Sequence, residues 1–216
     1  MVTCARSLFS LSAALEADTS DLARQRTGRG VPFGAWQEVS LEKKEKWLGR
    51  LIAHSFYVDL DQVRTSGGGL KDRLVIRHPS AVSVIALAEP GEALVVRQHR
   101  YAIDQVTLEF PAGKLREGEE PEAAARRELL EETGFEAAEW TKLLSFAPAD
   151  GYSDEIIHVF VARRLTRSAG EVEADEILSV ETLPLARLKA LAREGKILDG
   201  TTIVSLAAYD WIEGIA

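Results

Sequence analysis

Three glutamates within one turn of a predicted helix are the first feature of this sequence that could do chemistry. In the run Arg127-Glu128-Leu129-Leu130-Glu131-Glu132-Thr133, helical geometry puts Glu128 one turn from both Glu131 and Glu132. Like charges at those spacings oppose helix formation unless something positive sits among them. A hard divalent cation, Mg²⁺ or Mn²⁺, suits such an all-oxygen site, keeping water ligands and taking further oxygens from substrate phosphates. The chemistry implied is metal-assisted attack of water on a phosphoanhydride. The plainer reading is a solvated, Glu-rich helix face held by pairs such as Arg127 with Glu131. The flanking residues weigh against it: Gly113 and Gly134 bracket the helix, and Glu119 stands just before its first turn.

With those flanks included, the segment resembles the Nudix box: Gly, five residues, Glu, seven residues, then Arg-Glu-U-x-Glu-Glu-x-Gly-U, where U is apolar. Gly113, Glu119, Arg127, Glu128, Leu129, Glu131, Glu132, Gly134 and Phe135 fill the defined positions without a gap. The resemblance implies a Nudix α/β/α sandwich that hydrolyses a nucleoside diphosphate linked to another moiety, with Mg²⁺ as cofactor and Mn²⁺ as a substitute. It also implies that Glu128, Glu132 and the backbone carbonyl of Ala112 are metal ligands. Glu131 would be a further ligand or water contact in catalysis, and Arg127 and Glu119 would orient the loop and helix so that the ligands converge.

Two further stretches, Val96-Arg97-Gln98-His99-Arg100-Tyr101 and Leu108-Glu109-Phe110-Pro111-Ala112-Gly113-Lys114, resemble the branch of ADP-ribose pyrophosphatases and nucleotide-sugar hydrolases. That likeness places Arg100 and Glu109 on the substrate side, with Arg100 forking onto the diphosphate; the plainer reading of Arg100, a strand-end residue facing solvent, weighs less. Gly151-Tyr152-Ser153-Asp154-Glu155 resembles a loop whose Glu, here Glu155, sits near the sugar. The acidic stretch Glu173-Ala174-Asp175-Glu176 aligns with a loop supplying the catalytic base, Glu176 first and Glu173 in reserve, able to take a proton from an attacking water. Without the family it is simply an acidic loop. One position departs from the branch: sixteen residues after Gly134, where ADP-ribose-preferring members carry Pro, stands Asp150, and Pro148 is out of register. The expected reaction is hydrolysis of ADP-ribose to AMP and ribose 5-phosphate. The alternatives are other nucleoside diphosphate sugars, such as GDP-mannose, UDP-glucose or ADP-glucose, or a non-catalytic nucleotide-sensing module.

The elements that must hold these residues follow from local signals. Pro121 suits the first turn of a helix running to Thr133, and Gly134 suits the left-handed residue that stops it. Strands are predicted at 55–64, 72–78, 81–88, 93–99, 106–110, 142–147, 156–163 and 177–183, and helices at 41–53, 185–194 and 200–212. Glu89-Pro90-Gly91-Glu92 marks a hairpin turn, and Ser66-Gly67-Gly68-Gly69 another, since no Lys-Ser/Thr or helix follows to make it a phosphate loop. The class is α/β, a mixed sheet with helices on both faces, plus an N-terminal hairpin-and-helix extension. We read 1–40 as an arm or linker and 41–216 as the hydrolase domain, with 41–78 as a dimerisation-type piece and 79–216 as the core. The short apolar stretch Leu8–Leu15 resembles a signal peptide only faintly, being broken by serines and followed by acids.

Composition limits the partners. The chain has 216 residues, with 26 Lys+Arg against 34 Asp+Glu, a net charge of −8, which excludes the concentrated basic face that nucleic acid or an anionic membrane requires. At 46% hydrophobic residues it can bury a core, and its single cysteine, Cys4, excludes an intrachain disulfide and a Cys-rich zinc site. A soluble, cytoplasmic homodimer acting on a small nucleoside-diphosphate-linked molecule is expected. Trp47 or Tyr57 serves either for packing or for stacking on the base. The histidines His54, His78, His99 and His158 show no metal-ligand spacing, and His158 falls on a core strand.

Overall fold

The computed structural model describes residues 42–52, 56–168 and 177–213. The arm expected over 1–40, His54, and the acidic candidates Glu173 and Glu176 lie outside the described residues. Two sheets are present among the described residues. The first is antiparallel, β1 (Glu42–Ile52), β2 (Tyr57–Thr65) and β3 (Leu70–Arg77) in that order. The second contains β4 (Ala81–Glu89), β5 (Glu92–Arg100), β6 (Gln105–Glu109), β7 (Ala112–Lys114), β8 (Phe135–Phe146), β9 (Ile157–Arg167) and β10 (Ile177–Pro184). Its path runs β10-β5-β4-β9-β8, with β6 added to β5 and β7 to β4. The β4–β9 pair is parallel and the others are antiparallel.

Alternation along β4 assigns the faces. Val82, Val84 and Ala86 pack with Ala124, Ala125 and Leu129 of α1 (Pro121–Thr133). Ile85, with Val159 and Val161, packs with Leu185 and Leu188 of α2 (Leu185–Arg193) and Leu206 and Tyr209 of α3 (Gly200–Glu213). Each Val, Leu or Ile side chain so buried contributes roughly 1.5–3 kcal/mol. Helices thus cover both faces, as the α/β reading requires. No helix among the described residues is long and apolar enough to cross a membrane.

The site depends on a fork in this sheet. β4 and β5 pair only at Leu87–Ala93 and Glu89–Glu92; beyond that they part, β5 taking β6 and β4 taking β7. Buried Phe110 and Pro111 fill the gap, where Val84 N–H donates to the Pro111 carbonyl at 2.8 Å and Phe110 N–H to Thr202 Oγ1 at 3.0 Å. The strand β7 was not foreseen, being only three residues long with two of them Ala and Gly.

Three boundaries need correction. Residues 41–53, expected as a helix, form β1, which pairs antiparallel with β2 through two register shifts. Their Lys- and Glu-rich composition favours helix locally, but Lys44, Trp47 and Arg50 are needed beside the buried Asp59 and Asp61 of β2, and this non-local pairing overrides propensity. The strand expected at 142–147 begins at Phe135, directly after Gly134. Its first half is mostly exposed, with no apolar run to announce it. The strand expected at 156–163 continues to Arg167.

Candidate active site

Local chemistry places the box helix. Pro121 occupies its first turn, and Gly134, at φ 72°, ends it with its N–H donating to the Leu130 carbonyl, a conformation that costs glycine little. Gly113 answers a different demand. A Cβ there would lie 2.0 Å from the carboxyl carbon of Glu128, so only glycine lets the β7 backbone and this carboxylate meet.

Arg127 organises the rest. Its guanidinium donates to both oxygens of Glu119 at 2.9 Å, to Glu128 at 2.6 Å, to Glu131 at 2.8 Å and to the Lys114 carbonyl at 2.9 Å. Glu119 also accepts the Arg116 N–H at 2.8 Å; with Arg127 beside it, its carboxyl is held down at about 2. Arg127 therefore joins the loop after β7 to α1. Glu131 is held by Arg127 and, at 3.0 Å, by Arg116, so both its oxygens are engaged and it ties α1 to the loop after β7.

Glu132 faces the opposite situation. It accepts a single backbone hydrogen bond, from Ala112 N–H at 3.0 Å. Burial, with Glu128 and Glu109 adding repulsion, pushes its carboxyl up to about 8. Glu128 is raised too, mainly by burial and against the pull of Arg127. No three acidic, His or Cys side chains among the described residues are already drawn into a metal cluster. The donor set nonetheless fits a hard divalent cation: it is all oxygen, removed from water, and richer in carboxylate than in cations to balance it.

Arg100 and Glu109 are brought together. Arg100 Nε donates to Glu109 at 2.8 Å, its Nη2 closes the fork, and the Thr107 hydroxyl donates to the same carboxylate. Glu109 holds the Arg100 pKa above its usual value, with Asp199 and Glu132 contributing through space. Arg100 is thus paired with Glu109 and within electrostatic reach of Glu132 of the box, not simply in solvent. Asp199 was missed in the sequence, although it had a readable signal: it caps α3, accepting the Thr202 N–H at 2.7 Å.

Glu155 lies elsewhere on the same end of the sheet, its Oε1 3.2 Å from His78 Nδ1. The rings of Trp47 and Tyr57 are engaged inside the first sheet: the Trp47 indole N–H donates to Asp59, and Arg50 lies 3.7 Å over the Tyr57 ring. His158 is half-buried, its Nδ1 2.7 Å from Ser145 Oγ, and burial lowers its pKa.

Comparison with known proteins agrees with this geometry. A NUDIX domain profile matches residues 77–200. The chain is 34% identical over 172 residues to the ADP-ribose pyrophosphatase of Bacillus subtilis (strain 168), covering 79% of this chain and 91% of that protein. It is also 34% identical over 173 residues to the methanol dehydrogenase activator of Bacillus methanolicus, with the same coverage of each. Identity to the GDP-mannose pyrophosphatase of Salmonella arizonae is 36% over 161 residues, 69% of this chain and 83% of that one. A solved structure described as an ADP compounds hydrolase shares the fold, with a TM-score of 0.69 at 23% identity over 80% of this chain and 96% of that one. The chain belongs to the Nudix family and is one of its pyrophosphohydrolase enzymes.

Proposed function

We propose that this enzyme hydrolyses the diphosphate bond of ADP-ribose, giving AMP and ribose 5-phosphate, with Mg²⁺ as cofactor. The observation that carries the reading is the pair Glu128 and Glu132, two carboxylates withdrawn from water against the Ala112–Gly113 backbone, Glu128 sharing Arg127 with Glu119 and Glu131 and Glu132 bonded to a backbone N–H alone. Glu128, Glu132 and the Ala112 carbonyl would hold the metal, which when bound neutralises diphosphate charge and acidifies water. Arg100, within electrostatic reach of Glu132, would fork onto phosphate oxygens, with Glu109 setting its orientation. Arg127 and Glu119 keep the ligands in place, with Glu131 bracing them. Glu155 would face the sugar, and Glu176 would take the proton of the attacking water, with Glu173 as the reserve. A sensing module without turnover fits less well, because every carboxylate of the box is present.

A second reading is favoured by Asp150, which replaces the proline typical of ADP-ribose-preferring relatives, and by the GDP-mannose pyrophosphatases among the relatives. The broader coverage of the ADP-ribose pyrophosphatase match puts ADP-ribose first. Turnover of ADP-ribose, GDP-mannose, UDP-glucose and ADP-glucose with Mg²⁺, with products identified, decides the matter. Clear preference for any of the last three removes the ADP-ribose assignment. We also propose a homodimer formed through 41–78, supported by exposed apolar side chains such as Leu51, Ile52 and Leu74 on β1 and β3. A monomeric mass by light scattering would refute it.

A further inference from the structure

Charge is also concentrated where the first sheet meets the loop between β8 and β9. Asp59 and Asp61 on β2 are only 2% and 3% exposed. From β1, Arg50 reaches Asp59 at 2.7 Å and Lys44 reaches Asp61 at 2.6 Å. From β3, Arg77 lies 3.3 Å from Asp59 and 3.5 Å from Asp61, while its Nη1 donates to Asp154 at 3.0 Å. Two buried acids are thus served by three cations, and the third extends to a carboxylate of the loop.

The backbone follows the same route. Ile76 N–H donates to the Tyr152 carbonyl at 2.7 Å, and Asp154 N–H returns to the Ile76 carbonyl at 3.2 Å. Ile76 and Ser153 form a parallel bridge, and Asp154 accepts the His78 N–H at 2.9 Å. The loop is therefore tied to the end of β3 by an isolated bridge and its flanking hydrogen bonds. Its next residue is Glu155, 3.2 Å from the His78 ring, whose Nδ1 also lies 2.8 Å from the Pro79 carbonyl. The start of β4 connects this loop to the box: Ala81 N–H donates to the Ile156 carbonyl and Leu115 N–H to the Ser80 carbonyl, both at 2.8 Å.

We infer that Arg77 is a positioning residue: fixed by the buried Asp59 and Asp61, it holds Asp154 and so sets the 149–155 loop that presents Glu155 to substrate. An exposed ion pair by itself contributes little. This one acts by ordering a loop in advance, so that substrate binding does not bear that entropy cost. Its effect accordingly falls on substrate affinity and not on the chemical step. The inference rests on the proposed hydrolysis of a nucleoside diphosphate derivative, because only such a substrate gives Glu155 something to meet.

Hydrogen exchange and steady-state kinetics on the full chain test it together. In Arg77→Ala, exchange at the Ile76 and Asp154 amides should rise about tenfold, and KM for ADP-ribose should rise about tenfold with kcat within about twofold. Arg77→Lys should recover part of the KM. Asp154→Asn, a change at an exposed side chain, should act in the same direction and serves if Arg77→Ala does not fold. Unchanged loop exchange in a folded variant overturns the clamp, and so does a fall in kcat with KM unaltered. If the wild-type protein hydrolyses no nucleoside diphosphate derivative, the functional reading fails instead, while the exchange result still decides whether the clamp exists.

Discussion

Asp59 in the first sheet and Glu132 on α1 are both acids withdrawn from water, yet their surroundings drive them in opposite directions. Asp59 receives the Arg50 guanidinium, the Arg77 guanidinium and the Trp47 indole N–H, and its carboxyl is held far below the usual range. Glu132 receives one backbone N–H, faces Glu128 and Glu109, and is pushed up to about 8. The first region balances its charge from its own chain, so its acids serve structure. The second gathers Glu109, Glu119, Glu128, Glu131 and Glu132 around only Arg100, Arg116 and Arg127, an excess of carboxylate of the kind a hard divalent cation suits.

The contrast can be broken by substitution. Glu132→Gln should lower turnover by at least about 100-fold, the scale of losing a key electrostatic group, while the amide keeps its bond to Ala112 N–H and the fold survives. Near-normal activity in that variant would remove the metal-site assignment. Gly113→Ala is next. Its Cβ would displace the Glu128 carboxylate, the far end of a flexible side chain, so kcat should fall about tenfold or more with little change in melting temperature. Asp59→Asn should do the reverse, lowering the melting temperature by about 5 °C or more with kcat within about twofold.

A smaller effect separates the regions by pH. The folded chain retains the Glu132 proton up to about 8, whereas the unfolded chain releases it near 4.5. Through Glu132, metal-free protein therefore loses stability as pH rises across that window. The sign is opposite at Glu119, held at about 2, whose contribution is present above 4.5 and lost as pH falls toward 2. Thermal melts in chelator from pH 5 to pH 8 should show a decline that Glu132→Gln flattens; a decline of equal slope in the variant would assign it to other groups.

What the sequence made legible was local. The box helix could be read to the residue because Pro121 and Gly134 mark its ends and the glutamates recur at helical spacing. The central strands β4, β5 and β9 were readable from apolar runs bounded by turns. β1 was not, because its reason for being a strand, the buried Asp59 and Asp61, lies on another strand. The partnership of Arg100 with Glu109 arises from the β5–β6 register, and the approach of Asp199 to Arg100 crosses about half the chain. Glu131 shows the same limit: helical spacing gave its neighbours Arg127 and Glu128, but its second partner, Arg116, lies fifteen residues away.

Manganese binding followed by electron paramagnetic resonance at pH 7, with AMP present, tests most directly whether the carboxylates of α1 take their missing charge from a metal ion. Wild-type protein should bind Mn²⁺, and Glu132→Gln, equally folded, should bind it at least about tenfold more weakly. Equal binding by the two proteins, or none by the wild type, would contradict the account.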